Sequence, residues 1–330
     1  MANLARRVYG VLGVSAINAM MNADFNGYPK SLSNGTIYAS DKSFKFTIKK
    51  IWQLEGKDVL YIKTMRIEKK KDEAIIVPRA LKEGFENVFE VEDLNKVKDV
   101  RDILKNLFSA IDVKNFGATF AESGTPISIT GAVQIGQGMN KYRDTYIEEQ
   151  QILSPFRDPN AKPAKPKQKK NNEDGNEEDN DEIAKNSTLG TKIMTDEAHY
   201  FFPFSINPNV YKEFEEMGVT EGYTEEDYLE FKRAALSAMT AFDTNSKSGC
   251  DNEFGLFIET DNKTYLPNLD KFIEFEKGEK NIIRVNIKDL ISGIEDKINS
   301  MEIYYNPLTT NIETDLEGVK MFNIVTQKEV

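Results

Sequence analysis

Residues 8–19, VYGVLGVSAINA, are largely apolar and almost uncharged, the composition of one buried β-strand. Residues 20–39, MMNADFNGYPKSLSNGTIYA, concentrate Asn, Gly, Ser and Pro and read as a long polar loop. Ser40 can then cap a helix, SDKSFKFTIKKIW, in which Phe44, Ile48, Ile51 and Trp52 share one face. Lys42, Lys45 and Lys49 recur on a different face. A strand feeding an Asn/Gly loop and a basic helix start can cradle a polyanion. Main-chain N–H groups and the helix N-terminus meet phosphates there, and lysines supply charge. The same lysines also suit the wet side of an ordinary amphipathic helix, and the loop suits a plain surface excursion. Spacing alone leaves both readings open.

Further along, residues 59–67 alternate as a strand, with 74–78 as the returning arm of a hairpin. Its lysine-rich edges suit edge protection as readily as binding. Val97, Val100, Leu104, Leu107, Phe108 and Ile111 repeat at helical spacing and predict one helix over 92–112. From Ile127 the odd positions are apolar and the even ones polar, a strand's period, interrupted by Gly131, Gly136 and Gly138. Glycine there marks a bulge or the close approach of another backbone. Gly136-Gln137-Gly138 lacks the remaining spacing of a phosphate loop.

Residues 158–187 contain no aromatic residue; the first half is Pro/Lys-rich and the second acidic. Such a segment buries too little apolar surface to offset ordering entropy, which predicts a disordered insertion. The flanking stretches predict the arms of a hairpin over 151–200 with that insertion at its tip. Thr224 and Asp227 form a capping signature for a helix that buries Tyr228, Phe231, Ala235, Ala238, Met239 and Phe242. A strand follows over 254–258. Residues 261–330 predict strand-like VNI and EIYY segments, a helix over 287–298 and a weakly structured tail. Strand, helix, hairpin, helix, strand, insertion, strand, helix, strand is an α+β order. It is close to a ferredoxin-like or RNA-recognition-type core, an antiparallel sheet with two packed helices.

Composition changes this picture at three points. The net charge of −11 argues against a nucleic-acid partner, but residues 171–182 hold seven acidic residues and no basic one. Without those seven charges the balance is −4, which leaves room for a local basic groove. One cysteine and one histidine exclude an intrachain disulfide and paired-histidine catalysis, and leave zinc too few ligands. His199, among Tyr200, Phe201 and Phe202, is expected to be a satisfied, half-buried ring. No apolar run approaches the ~18 residues of a membrane span. Arg6-Arg7 and residues 8–21 imitate a signal peptide, but Ser15 and Asn18 interrupt the run, so a cytoplasmic protein without membrane partners is expected.

Taken together, VYGVLGVSAINAMMNADFNGYP, SDKSFKFTIKKIW, NFGATFAESGTPISITGAVQIGQG and AMTAFDTNSKSG before FGLFIE resemble one family. It is the backbone subunit of type I CRISPR surveillance complexes (Cascade), of the RAMP superfamily, and the resemblance is particularly to the subtype I-B form. Many relatives begin the first loop Asn-Pro-x-Gly, where this chain has Asn22-Ala23-Asp24-Phe25-Asn26-Gly27. The resemblance implies a single modified RNA-recognition-type palm over 1–330, with finger-like additions and a thumb-like hairpin at 151–200. It implies non-sequence-specific binding of the CRISPR RNA spacer by several copies of the chain, beside other Cascade subunits. Guide bases would be presented in segments for pairing with target DNA. By position, Ser40, Lys42, Lys45 and Lys49 match the phosphate-contacting helix, and Phe156, Ile193 and Met194 lie in the thumb. Asn22, Asn26, Lys30, Lys50, Gly136, Gln137 and Gly138 complete the expected RNA-contacting set. A non-sequence-specific RNA binder needs cations, N–H donors and apolar wedges, and the chain offers all three without a catalytic constellation.

Two other readings stand beside this one. Type III relatives cut RNA with an acidic residue in the first loop, and Asp24 and Asp41 are the carboxylates available here. Asp24 suits a turn cap and Asp41 a helix N-terminus equally well. A scaffolding protein without nucleic acid also fits the acidic balance. No cofactor, metal or catalytic residue is expected.

Overall fold

The computed structural model describes residues 2–70, 73–122, 124, 126–154 and 188–330. The first half of the chain forms β1 (Arg7–Ala19), β2 (Tyr38–Ala39), α1 (Asp41–Leu54), β3 (Met65–Lys70), β4 (Glu73–Pro78), α2 (Leu81–Val88), α3 (Val100–Ser109), α4 (Ile111–Phe116) and β5 (Gly117–Phe120). It continues with β6 (Ile127–Thr130), β7 (Val133–Ile135), β8 (Gly138–Asn140) and β9 (Ile147–Ser154). The second half forms β10 (Thr188–Ile206), α5 (Lys212–Glu216), α6 (Glu225–Ala235), β11 (Cys250–Thr260), β12 (Ile273–Glu276), β13 (Asn281–Val285), α7 (Lys288–Ile291), β14 (Ile298–Tyr305), β15 (Thr310–Thr314) and β16 (Lys320–Asn323). The architecture is mixed α+β.

The main sheet runs β16-β14-β11-β1-β10-β8-β2, with β7 and β9 also pairing with β10. The uncharged run of β1 puts it at the centre, antiparallel to β10 (Val8 opposite Ile206) and β11 (Val8 opposite Glu259). Val8, Leu12, Val14 and Ala16 point into a core shared with α1 and α6. Tyr9 and Val11 point into a second core on the other face. Burial on both faces explains why the strand reads as a continuous apolar run. α1 docks through Phe44, Ile48, Ile51 and Trp52, all buried, with Phe44 stacked on Phe202 of β10 at 4.9 Å. Its start is set by Ser40, whose hydroxyl accepts from Ser43 N. The capping box of Thr224 and Asp227 starts α6 as expected.

The second face is covered by the chain's C-terminal unit, and the expectation of a weak tail is corrected. β12, β13 and β15 form a separate three-stranded sheet, while β14 and β16 extend the main one. Ile273, Ile283, Val285, Ile291 and Leu316 pack on Val11, Phe254, Leu256 and Ile258. The helix expected over 287–298 stops at Ile291, because Ser292 turns extended and Gly293 takes φ +84°. The helix expected over 92–112 is also broken. Asp93 and Asp99 accept from Asn95 N and Arg101 N, so each starts a new segment, and Ala110 is extended between α3 and α4. Only Met65 onward of the strand expected at 59–67 pairs, in register with β4. The arms flanking the insertion do pair, with Thr188 opposite Ser154 through to Thr195 opposite Ile147. The expected insertion at 158–187 and Phe156 lie outside the described residues.

His199 is fully buried between Glu253 (Nδ1–Oε2 2.8 Å) and Glu197 (Nε2–Oε1 2.9 Å), and its ring stacks on Phe275 at 3.9 Å. Each ring nitrogen faces a carboxylate oxygen, an arrangement that favours the imidazolium over the neutral ring. Burial opposes that charge, but Glu253 and Glu197 outweigh it, and the pKa lies above the usual histidine value.

Candidate nucleic-acid interface

Four of the stretches singled out above, the first loop, the start of the lysine helix, Gly136–Gly138 and TNSKSG, meet at one end of the main sheet, where β1 finishes. Residues 244–249 lie alongside that end: Ile17 N donates to Gly249 O (2.8 Å) and Met20 N to Ser246 O (2.7 Å). The carbonyl of Met21 accepts from Ser43 Oγ of α1 (2.9 Å) and from Lys247 Nζ. Asn22 Oδ1 accepts from Ser40 N (2.8 Å), which ties the first loop to the start of α1. β2 pairs Tyr38 with Met139 and Ala39 with Gly138, and Gln137 Nε2 donates to Asp41 Oδ1 (3.2 Å). Loop, helix start, the Gly136–Gly138 strand and residues 244–249 therefore form one surface.

The expected lysines divide into two kinds. Lys42 is exposed and Lys30 half-buried, and neither side chain has a polar partner among the described residues. Asp41 N and Lys42 N likewise have no acceptor there, so two main-chain donors stand open at the helix start. Lys45 is paired with Asp41 (3.0 Å) and lies over the Phe116 ring, and Lys50 donates to Gln53 Oε1 (2.9 Å). Lys49 departs from the expectation of a solvent-facing lysine. Its ammonium lies 3.5 Å from Asp112, whose side chain has no exposed area, and donates to Tyr61 O (3.3 Å). Burial lowers the Lys49 pKa, and the Asp112 carboxylate opposes that shift.

Gly136 and Gly138 are shaped by packing. A Cβ on Gly138 would fall 2.4–2.6 Å from the Phe202 ring, and one on Gly136 would fall 2.9 Å from Pro203 Cγ. A Cβ on Gly131 would fall 2.2–2.4 Å from the backbone of Phe116 and Gly117, so the glycine permits the close approach its position in the strand pattern implied. On the hairpin, Ile193 faces the first loop, with its Cδ1 3.8 Å from where a Gly27 Cβ would lie, whereas Met194 is buried. Asn26 sits in a tight turn in which its N–H donates to Asp24 Oδ1 (2.8 Å).

Asp24 also accepts from Tyr28 N (3.0 Å), so it caps a turn, and Asp41 is engaged by Lys45 and Gln137. Among the described residues no group of three His, Cys, Asp or Glu side chains gathers as a cation site. Sequence reasoning missed Ser43 and Lys247, which hold the first loop in place. It also missed Phe25 and Tyr38, which line a concavity beside Lys30. The unbroken Ser-Lys run in TNSKSG was the one available signal for Lys247; nothing in the pattern pointed to Phe25. No helix among the described residues is long and apolar enough to cross a membrane.

Comparison with curated proteins gives no significant match. Among solved structures, the chain is similar to one in a CRISPR RNA-guided surveillance complex, pre-nicking. That chain is 15% identical, with 79% of this chain and 80% of that one covered at a TM-score of 0.43, a likeness too low to bear on function. The family model of the CRISPR-associated protein Cas7 matches residues 6–297. That match spans most of the 330 residues, and the chain belongs to the Cas7 family.

Proposed function

We propose that this chain binds CRISPR RNA without sequence preference, as a repeating backbone subunit of a Cascade-type surveillance complex. It presents guide bases for pairing with target DNA, beside further copies of itself and other subunits, and performs no catalysis. The observation that carries this reading is the convergence of the family's characteristic stretches at the end of β1. There two uncommitted lysines, Lys30 and Lys42, flank a helix start with open N–H donors. A phosphate chain needs that combination of mobile cation and fixed donor.

The core is read as an RNA-recognition-type fold. Its support is the strand order β11-β1-β10-β7/β8 with crossovers through α1 and α6, the pattern of a split βαβ pair. RNA-recognition domains stack bases on the open sheet face. Here the C-terminal unit covers that face, which directs RNA to the strand ends instead. The β9–β10 arms form the thumb in this reading, with Ile193 and the exposed Tyr146, Ile147 and Ile152 as apolar contacts.

Anisotropy of a labelled single-stranded RNA tests the proposal. Lys30→Gln/Lys42→Gln is expected to weaken binding and flatten the log-affinity against log-salt slope by about 1.4, at ~0.7 per lost contact. An unchanged slope in the folded double variant rejects this surface. Purified protein free of nucleic acid at low salt, by its 260/280 nm absorbance, favours a scaffold.

A further inference from the structure

Phe25 is the most exposed large apolar side chain among the described residues, at 110% of its reference area. A free-standing phenyl ring in water is normally removed by loop collapse, yet this loop cannot collapse. Asp24 N donates to Tyr28 O (2.7 Å), Gly27 N to Asp24 O (3.3 Å), and Asp24 Oδ1 accepts two further N–H groups. Ala23 bridges to Pro29 across the turn, and Gly27 takes φ +89°. Tyr28 Oη donates to Glu149 Oε1 of β9 (2.6 Å), fixing the turn to the hairpin arm. The ring is thus presented on a rigid support.

Beside it lies an open concavity of about 350 Å3, lined by Ala23, Asp24, Phe25, Lys30, Ser31 and Tyr38. That volume is at the small end of the ~300–1,000 Å3 range of small-ligand sites and suits a single nucleoside. One aromatic face, one uncommitted ammonium and a tyrosine ring within one small hollow match a base, its phosphate and an edge contact. The polar lining of Asp24, Lys30 and Ser31 beside the ring favours a nucleotide over an apolar protein surface as its occupant.

We infer that Phe25 is a base-stacking platform: one base of bound single-stranded RNA lies on its ring, with Lys30 at the adjoining phosphate. This rests on the RNA-binding reading above and goes beyond it by assigning a base contact to the first loop. Stacking on an aromatic is sequence-tolerant and insensitive to salt, so its loss has a signature different from a lost lysine.

The test uses the full chain and an oligouridylate bearing one 2-aminopurine at successive positions, read by affinity and fluorescence quenching. Phe25→Leu is expected to weaken binding about 5- to 150-fold with an unchanged salt slope, and to relieve quenching at one position. Phe25→Trp is expected to restore both. Because the ring touches little, thermal melting of both variants is expected to match the parent. Phe25→Leu that binds with parental affinity and quenching overturns the stacking assignment while RNA binding itself stands. Parent protein that binds no single-stranded RNA overturns both readings. Parental affinity for short RNA with loss only of multi-copy assembly overturns stacking in favour of a protein contact.

Discussion

Replacing Lys49 separates a structural lysine from a phosphate-binding one. The Asp112 carboxylate has no exposed area and accepts from Leu60 N (2.9 Å) and Tyr61 N (2.8 Å), and Lys49 is its one ion-pair partner among the described residues. Lys49→Met keeps the aliphatic stem against Tyr61 and Phe116 and removes the ammonium, with its ion pair and its hydrogen bond to Tyr61 O. Breaking a buried pair from one side costs about 3–5 kcal/mol. Here the carboxylate keeps two N–H donors, the contact is long at 3.5 Å and the ammonium is partly wet, so about 2–3 kcal/mol is expected. Urea unfolding should show a lowered midpoint at constant m-value, with part of the loss recovered in Lys49→Met/Asp112→Asn. In RNA titrations Lys49→Met should keep the parental salt slope, whereas Lys42→Gln should flatten it by about 0.7. A Lys49→Met protein with parental stability and a flattened slope refutes the division of the lysines.

Gly138→Ala should destabilise the fold by about 1–3 kcal/mol, since its Cβ would overlap the Phe202 ring; parental melting with reduced RNA affinity would make the glycine a phosphate-loop residue instead. Ile48→Ala should cost about 2–5 kcal/mol in denaturant unfolding, because the side chain is fully buried; a cost under about 0.5 kcal/mol would contradict the packing of α1. His199 has its pKa raised, so the folded state holds a proton that the unfolded state releases. Its contribution to stability is complete below the ordinary histidine value and is lost as pH rises through the folded value. Melting from pH 6 to 9 should therefore fall more steeply for the parent than for His199→Gln, and parallel curves would contradict a buried imidazolium.

Local features were legible in the residues, and features made by distant partners were not. α1 was readable because its cap and four-residue apolar spacing lie within one stretch, and β1 because burial on both faces leaves a long uncharged run. The 92–112 helix was misread because its apolar period persists across segments that Asp93 and Asp99 restart by capping. Both aspartates were visible signals. The C-terminal unit escaped because β12, β13 and β15 are only four or five residues long and are held by a parallel pairing between β13 and β15. Lys49 reads like Lys42 on a helical wheel; only the fold brings Asp112 beneath one and leaves the other in solvent. Exposure of Phe25 depends on hydrogen bonds inside a turn, which no periodicity reports.

Ultraviolet crosslinking of the protein to CRISPR RNA, followed by peptide mapping, tests the location of the site most directly. The account predicts crosslinked peptides from residues 20–46, 134–142 and 243–250, which meet at the end of β1, together with the β9–β10 arms. Crosslinks confined to residues 273–330, or to the β3–β4 hairpin, would contradict it.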